Sequence, residues 1–506
     1  MQAAVIVVVV ILLLGVRPSV TENKGKPKGS NDVDMPNVVF MMADDYGYGD
    51  VGYNNGPAET PNLDAMAASP HTLHLTRYYS GGPVCSPTRG TVLTGRNHNR
   101  YCIWSANAGS NKDDFAVPEK MPLPPTEITI PELLKPLGYQ SAIFGKWHLG
   151  DVKAVPGGNK KWNVSHPGMH GFNEWLVTER SAQNYNLNCA CYNDTDRLCA
   201  LGHYTTPPPC YNYYTIHDPN VGLETLSYPV QGDDSHFIVD LFTEFLNKTI
   251  SEKKPFFIYL PFHAVHIRYI ASLGYIERYM GKNYTQNEID YYGSITAMDD
   301  AIGRVKTVLE KFNVTNNTML WFTSDNGPLK SSPGRTNGLR GWKTELYEGG
   351  IRVPGLIEWP AMIKKNIVSD FPVISSDLLP TLCDIVGVEP PTDRPIDGES
   401  IVPLLKGESK VRNDSIKWAF NIHDNFEGSY HAVISNNQYK IFAEYDMGKV
   451  KSAQLYDLLN DKGETTDISA KNPDIFEALK KELEDWRQSV QTSAKDKVQC
   501  MGLSRN

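Results

Sequence analysis

Residues 37–47 read Asn-Val-Val-Phe-Met-Met-Ala-Asp-Asp-Tyr-Gly. An apolar run with no polar residue inside it stops at two adjacent carboxylates. Three further stretches repeat the form. Ser141-Ala142-Ile143-Phe144 leads into Gly145-Lys146-Trp147-His148, and Phe256-Phe257-Ile258-Tyr259-Leu260 leads to His263 and His266. Met319-Leu320-Trp321-Phe322 leads into Asp325-Asn326-Gly327. Short, uninterrupted apolar runs suit strands buried on both faces of a largely parallel sheet. Open α/β sheets bind ligands at the carboxyl ends of their strands. Four segments that each deliver chemically able side chains there predict one functional site at that edge.

Helical stretches lie between these runs. Thr60 to Ala67 is one, with Thr60 as cap and Pro61 at the first helical position. After about residue 390 the texture changes. Residues 418–422, 431–435, 438–442 and 455–458 read as short antiparallel strands, with Asn436-Asn437 as a tight turn. A helix follows, capped by Asn472 and opened by Pro473, with Ile475, Leu479, Leu483 and Trp486 on one face. The expected fold is therefore α/β, with a smaller α+β domain at residues 391–490 after a main domain at 36–390, and a tail at 491–506. Histidines such as His71, His74 and His98 read as structural or surface residues.

The 506 residues can bury a large core, and 49 Lys plus Arg against 58 Asp plus Glu give a net charge of -9. That acidic balance argues against a nucleic-acid partner. The apolar run from Ala3 to Gly15 is short for a bilayer span, for which about 20 apolar residues are needed. A signal peptide over residues 1–20 fits better than a short anchor, and a polar lead-in at 21–35 follows. Seven Asn-x-Ser/Thr sequons, at Asn163, Asn193, Asn247, Asn283, Asn313, Asn316 and Asn413, agree with passage through the secretory pathway, to secretion or to the lysosome. Of the eight cysteines, Cys189, Cys191, Cys199 and Cys210 cluster in a Tyr- and Pro-rich loop spanning Ser181 to Asn220. Two local disulfides suit an oxidising compartment. Zinc is the competing reading, but only one residue separates Cys189 from Cys191, against a usual two to four. The loop is a candidate shaper of specificity or a structural staple.

Asp44, Asp45, Asp325 and Asn326 offer only oxygen donors, the set that a hard cation such as Ca²⁺ or Mg²⁺ takes. Taken singly, each pair reads equally as a turn or cap. In Pro83-Val84-Cys85-Ser86-Pro87-Thr88-Arg89-Gly90, Pro87 suits the first turn of a helix that begins near Cys85. Arg89 then lies four residues on, on the same helical face as Cys85. A helix N-terminus beside a guanidinium makes an anion site.

Cys85-x-Pro87-x-Arg89, followed by Val92-Leu93-Thr94-Gly95, resembles the signature of the type I sulfatases. Gly138-Tyr139-Gln140-Ser141 through Gly145-Lys146-Trp147-His148 resembles the second signature, with Phe144 larger than usual. Asp44-Asp45-Tyr46-Gly47, Asp325-Asn326-Gly327, Gly341-Trp342-Lys343 to Gly349-Gly350-Ile351-Arg352, and Leu455-Tyr456-Asp457-Leu458 match in the expected order. The resemblance runs from about residue 36 to 490. It implies an alkaline-phosphatase-like sheet flanked by helices and a sulfuric ester hydrolase.

It further implies roles. Cys85 would be oxidised to formylglycine by a formylglycine-generating enzyme of the secretory pathway, hydrated to a diol, and used to attack sulfur. The sulfate ester so formed would break down with His148 as base. Asp44, Asp45, Asp325 and Asn326 would hold Ca²⁺, and Arg89 and Lys146 would hold the diol. Lys343 and His266 would bind sulfate and protonate the leaving oxygen. His266 is chosen over His263 by its distance from the strand end, although the proline that often follows the family's histidine is absent. A sulfated carbohydrate such as a glycosaminoglycan sugar is the expected substrate, since the arrangement resembles the arylsulfatase B and N-acetylgalactosamine-sulfatase branch. It lacks the internal hydrophobic hairpin of the steroid sulfatases. The competing readings are a zinc-using phosphohydrolase or phosphodiesterase of the same superfamily, and a non-catalytic carbohydrate-binding descendant.

Overall fold

A computed structural model describes residues 35–106, 122–150, 152, 165–179, 232–420 and 429–495, and the backbone of 214–218 and 222–225. The expected signal peptide and lead-in up to residue 34, the four-cysteine cluster, the side chains of the 181–220 loop, Asn163, Asn193 and Cys500 lie outside the described residues.

Among the described residues the main sheet has ten strands. Its order is Ile367–Ser369, Thr72–Leu75, Gly355–Glu358, Thr318–Ser324, Asn37–Ala43, Phe256–Pro261, Gln140–Lys146, Glu174–Thr178, Tyr214–Asp218, Gly222–Thr225. The four apolar runs of the sequence are its four central neighbours. They pair in parallel: Val39 is opposite Ile258 on one side and Leu320 on the other, and Ala142 is opposite Ile258 in turn. The flanking Gly355–Glu358 and Tyr214–Asp218 strands are antiparallel to their inner neighbours, so the sheet is mixed.

Alternation explains why the central strands are apolar throughout. Val39, Met41 and Ala43 enter one hydrophobic cluster, with residues of the Asp234–Ser251 and Gln286–Lys311 helices. Val38, Phe40 and Met42 enter another, with residues of the Cys85–Thr94 and Leu378–Val386 helices. Both faces are covered, so no position on the strand is left for a polar side chain. Cys383, on the second of those helices, is a buried thiol.

The Pro61–Ala68 helix forms as expected, but Thr60 does not cap it through its side chain. The Thr60 hydroxyl instead accepts the Gly52 N–H at 2.8 Å. The orphan amides of Asn62 and Leu63 donate to the Asp299 carboxylate of the Gln286–Lys311 helix, at 2.9 and 2.8 Å. A carboxylate at a helix start meets both the unpaired N–H groups and the positive dipole end. A residue 237 positions away replaces the local cap.

The C-terminal part is a four-stranded antiparallel sheet: Ile416–Phe420, Tyr430–Ser435, Tyr439–Asp446, Lys449–Asp457. The first strand starts two residues before the expected one. Asn436 and Asn437 both take positive φ, as the tight hairpin turn requires. The Pro473–Lys495 helix lays Leu479, Leu483, Trp486 and Val490 on Val433, Ile441 and Leu455.

Candidate active site

The central strands deliver their carboxyl-end residues to one place. The Asp44 N–H donates to the Ala264 carbonyl at 2.8 Å, and the Asp325 N–H donates to the Ala43 carbonyl at 3.1 Å. The Asp45 N–H reaches Asp325 Oδ1 at 3.1 Å. These bonds lock three loop entries together before any side chain is considered. Gly145, φ +126°, lets the Gln140–Lys146 strand pass its neighbour, since a Cβ there would stand 2.1 Å from the Pro261 carbonyl oxygen.

Cys85 is the first residue of the Cys85–Thr94 helix and is buried. Val84 ahead of it offers no side-chain cap, and Gly95 ends the helix in the left-handed region. The Thr88 hydroxyl accepts the Gly82 N–H at 3.0 Å, which fixes the loop that leads in. Cys85 Sγ then stands 3.5 Å from Asp44 Oδ1, 4.0 Å from Asp45 Oδ1 and 3.6 Å from Lys343 Nζ.

Three carboxylates meet three cations here. Arg89 places Nε and Nη2 at 3.1 and 2.6 Å from Asp325 Oδ2, and Nη1 donates to the Lys146 carbonyl at 3.0 Å. Lys146 Nζ lies 2.6 Å from Asp44 Oδ2. Lys343 Nζ lies 2.6 and 2.8 Å from the two oxygens of Asp45. Burial works to raise the Asp44 carboxyl, but Lys146, His266, Arg89 and Lys343 outweigh it and hold it well below the usual range. Burial opposes charge on Lys343, yet the carboxylates of Asp45, Asp44 and Asp325 keep its ammonium protonated. Burial pushes the Cys85 thiol up, with Asp325 adding to the shift, so the sulfur is a neutral thiol.

The residues present fit a hard cation. Ligand atoms of Asp44, Asp45, Cys85 and Asp325 all lie within 4.8 Å of one another. Asn326 Nδ2 donates to Asp45 Oδ1 at 2.7 Å, while Asn326 Oδ1 is buried with no hydrogen-bond partner. An orphaned amide oxygen beside three buried carboxylates is a cation ligand in waiting. The neutral sulfur leaves oxygen as the charged donor type, which favours Ca²⁺ or Mg²⁺ over zinc.

His148 follows Lys146 with φ 55° and is buried, its Nδ1 unpartnered. Burial first, then Lys146 and Arg89, hold its pKa well below the usual value, so the imidazole is neutral. The two later histidines differ. His266 is partly exposed, with Nε2 3.8 Å from Asp45 Oδ2 and Nδ1 on the Ile267 carbonyl at 2.7 Å. His263 is fully buried, with Nδ1 2.6 Å from Asp234 Oδ2 and Nε2 2.7 Å from Thr178 Oγ1. Both of its nitrogens are committed to the fold.

All ten residues singled out in the sequence thus stand at or beside one buried cluster. Sequence reasoning missed Thr178 and Asp234, which hold His263 behind it, and Glu348, which braces the segment bearing Lys343. The arrangement presents a helix N-terminus, two ammoniums, a guanidinium and a cation site around Cys85. Such a set is suited to a tetrahedral anion and to the charge that develops when one of its bonds breaks.

The chain is similar to known proteins in sequence and in fold. The family described as Sulfatase matches residues 36–388, and the one described as N-sulphoglucosamine sulphohydrolase, C-terminal, matches residues 338–489. The chain is 31% identical over 393 residues to N-acetylgalactosamine-6-sulfatase of Mus musculus, covering 74% of this chain and 68% of that one. It is 29% identical over 443 residues to steryl-sulfatase of Homo sapiens, covering 75% and 71%. The crystal structure of Ps i-CgsB in complex with k-i-k-neocarrahexaose superposes with a TM-score of 0.73 at 26% identity, covering 93% of this chain and 98% of that one.

Proposed function

Because the chain belongs to the sulfatase family, the sulfuric ester hydrolases, we propose that it releases sulfate from a sulfated carbohydrate at Cys85, with Ca²⁺ bound beside it. The observation that carries the reading is the position of Cys85, first in its helix and 3.6 Å from the Lys343 ammonium, against the Asp44 and Asp45 carboxylates. As formylglycine, position 85 would supply the attacking hydroxyl, and Ca²⁺ held by Asp44, Asp45, Asp325 and Asn326 would draw charge from the sulfate oxygens. Lys343 and His266 bind the sulfate from the open side, and His266, the more exposed of the two, donates a proton to the departing sugar oxygen. Arg89 fixes Asp325 and screens the helix start. Lys146 neutralises Asp44 and faces the same centre. His148, held neutral, accepts the proton whose loss returns the site to its resting form.

A sugar substrate is supported by the glycan-bound relative, which matches nearly the whole chain, and by the N-acetylgalactosamine-6-sulfatase. The steryl-sulfatase at 29% identity pulls the other way. Among the described residues no helix is long and apolar enough to cross a membrane. Passage through the secretory pathway is supported by five sequons, at Asn247, Asn283, Asn313, Asn316 and Asn413, each with an exposed asparagine. The test is sulfate release from 4-nitrophenyl sulfate and from defined sulfated mono- and oligosaccharides, with peptide mass at position 85. Activity with an intact thiol in every molecule overturns the mechanism, and activity on steroid sulfates alone overturns the substrate.

A further inference from the structure

Lys343 reaches Asp45 and Cys85 from the segment 340–351, and that segment is closed from outside the main sheet. It folds on itself, with the Gly349 N–H on the Arg340 carbonyl at 2.6 Å and the Gly350 N–H on the Tyr347 carbonyl at 2.9 Å. It meets the site where the Lys343 N–H donates to the Pro328 carbonyl and the Thr344 N–H to the Pro83 carbonyl, both at 2.9 Å.

At its base lies Glu348, fully buried. Its carboxylate accepts from Tyr79 Oη at 2.9 Å and from Lys440 Nζ at 3.0 Å. Lys440 belongs to the Tyr439–Asp446 strand of the C-terminal sheet, and it also pairs with Glu464 Oε1 at 2.8 Å. Glu464 Oε2 accepts the backbone N–H of Glu348 at 2.7 Å, which closes a ring. Lys440, Glu348 and Glu464 are all 0% exposed. Arg340, at the other end of the segment, donates to the Glu464 carbonyl at 3.0 Å and to Tyr456 Oη at 2.9 Å.

A buried charged ring is a poor way to gain stability, because desolvation offsets the attraction, but it tolerates only one geometry. The C-terminal sheet therefore grips both ends of the segment that presents Lys343. We infer that Lys440 and Glu464 are positioning residues for Lys343: the ring sets the base of the segment, and the segment sets where the ammonium stands. The inference rests on the reading of Lys343 as a sulfate-binding group.

The test uses the full-length, Ca²⁺-loaded protein with Lys440→Met and Lys440→Arg, and with Lys440→Met/Glu464→Gln should the single change fail to fold. Hydrogen exchange of the 340–351 amides and kcat/KM on 4-nitrophenyl sulfate are read in the wild-type and Lys343→Met backgrounds. The expected result is exchange at least about tenfold faster in 340–351, with the central strands unchanged. Alongside it, kcat/KM falls about tenfold, is partly rescued by arginine, and shrinks to under about twofold when Lys343 is already gone, because residues acting through one another are not additive. Unchanged exchange, or equal losses in both backgrounds, overturns the inference. A wild-type protein that releases no sulfate overturns the functional reading instead, and the exchange measurement still decides the positioning role.

Discussion

The Lys343 ammonium stands 3.6 Å from Cys85 Sγ while bonded to both oxygens of Asp45 at 2.6 and 2.8 Å. One cation thus touches the cysteine proposed for modification and a carboxylate of the proposed cation site. On the proposed function, removing it takes charge from the place where sulfate oxygens would gather, where a single preorganised donor is worth about 3 kcal/mol. Lys343→Met is expected to lower kcat/KM on an aryl sulfate by about a hundredfold or more, with the thermal midpoint little changed in saturating Ca²⁺. Steady-state kinetics beside a thermal scan check it, and near-wild-type turnover would remove Lys343 from the site.

Three buried carboxylates within one small cluster repel one another, and a bound cation relieves that. Ligand in about a hundredfold excess over Kd adds about 2.7 kcal/mol to stability. Ca²⁺ is therefore expected to raise the thermal midpoint by a few degrees, and chelation to reverse the gain. In Asp325→Asn the increment should largely vanish. A calcium-independent midpoint in the unsubstituted protein would argue that Lys146, Lys343 and Arg89 alone neutralise the cluster.

The centre of the fold and the strand-end residues of the candidate site were legible for one reason. The four central strands are buried on both faces, so they read as unbroken apolar runs, and their functional residues follow within a few positions. Outlying strands such as Thr72–Leu75, and Ile367–Ser369 at the edge, are too short to declare themselves. Asp299 as a helix cap, and Thr178 and Asp234 around His263, escaped because each partnership spans tens to hundreds of positions. Lys440 escaped for a different reason. It sits in Tyr-Lys-Ile-Phe-Ala-Glu-Tyr-Asp, where a lysine between apolar neighbours reads as the solvent side of a strand, yet it is fully buried against Glu348 and Glu464.

His431 gives a pH signature. Burial, with Arg487 nearby, pulls its pKa down to about 3, and its Nε2 lies 2.6 Å from Ser429 Oγ. The unfolded chain binds a proton near the ordinary value of about 6.5, while the folded chain does not until about 3. The stability this group contributes is therefore present above pH ~6.5 and lost as pH falls toward ~3, amounting to about 2 kcal/mol by pH ~5. His431→Gln is expected to be less stable than the parent near neutrality but to lose about 2 kcal/mol less on acidification to pH ~5. Urea unfolding of both proteins at the two pH values checks it, and parallel losses would mean that the ring titrates normally in the folded state.

His263 and His266 are three residues apart, and the structure gives them opposite settings. His263 bonds Asp234 and Thr178 at 2.6 and 2.7 Å in a fully buried setting, so truncation strips a bond from each partner and leaves a cavity. Each lost buried hydrogen bond costs about 1–3 kcal/mol, so His263→Ala should destabilise by about 3 kcal/mol or more. His266 is partly open to solvent and lies 3.8 Å from Asp45. His266→Ala should leave the thermal midpoint nearly unchanged and lower kcat by about 10²–10⁴-fold, the usual worth of a general acid. The loss should be larger for a sugar sulfate than for 4-nitrophenyl sulfate, because a poor leaving group needs the proton more. Thermal scans and kinetics on the two substrate types separate the residues. If His263→Ala kept its midpoint and lost turnover while His266→Ala kept both, the roles would have to be exchanged.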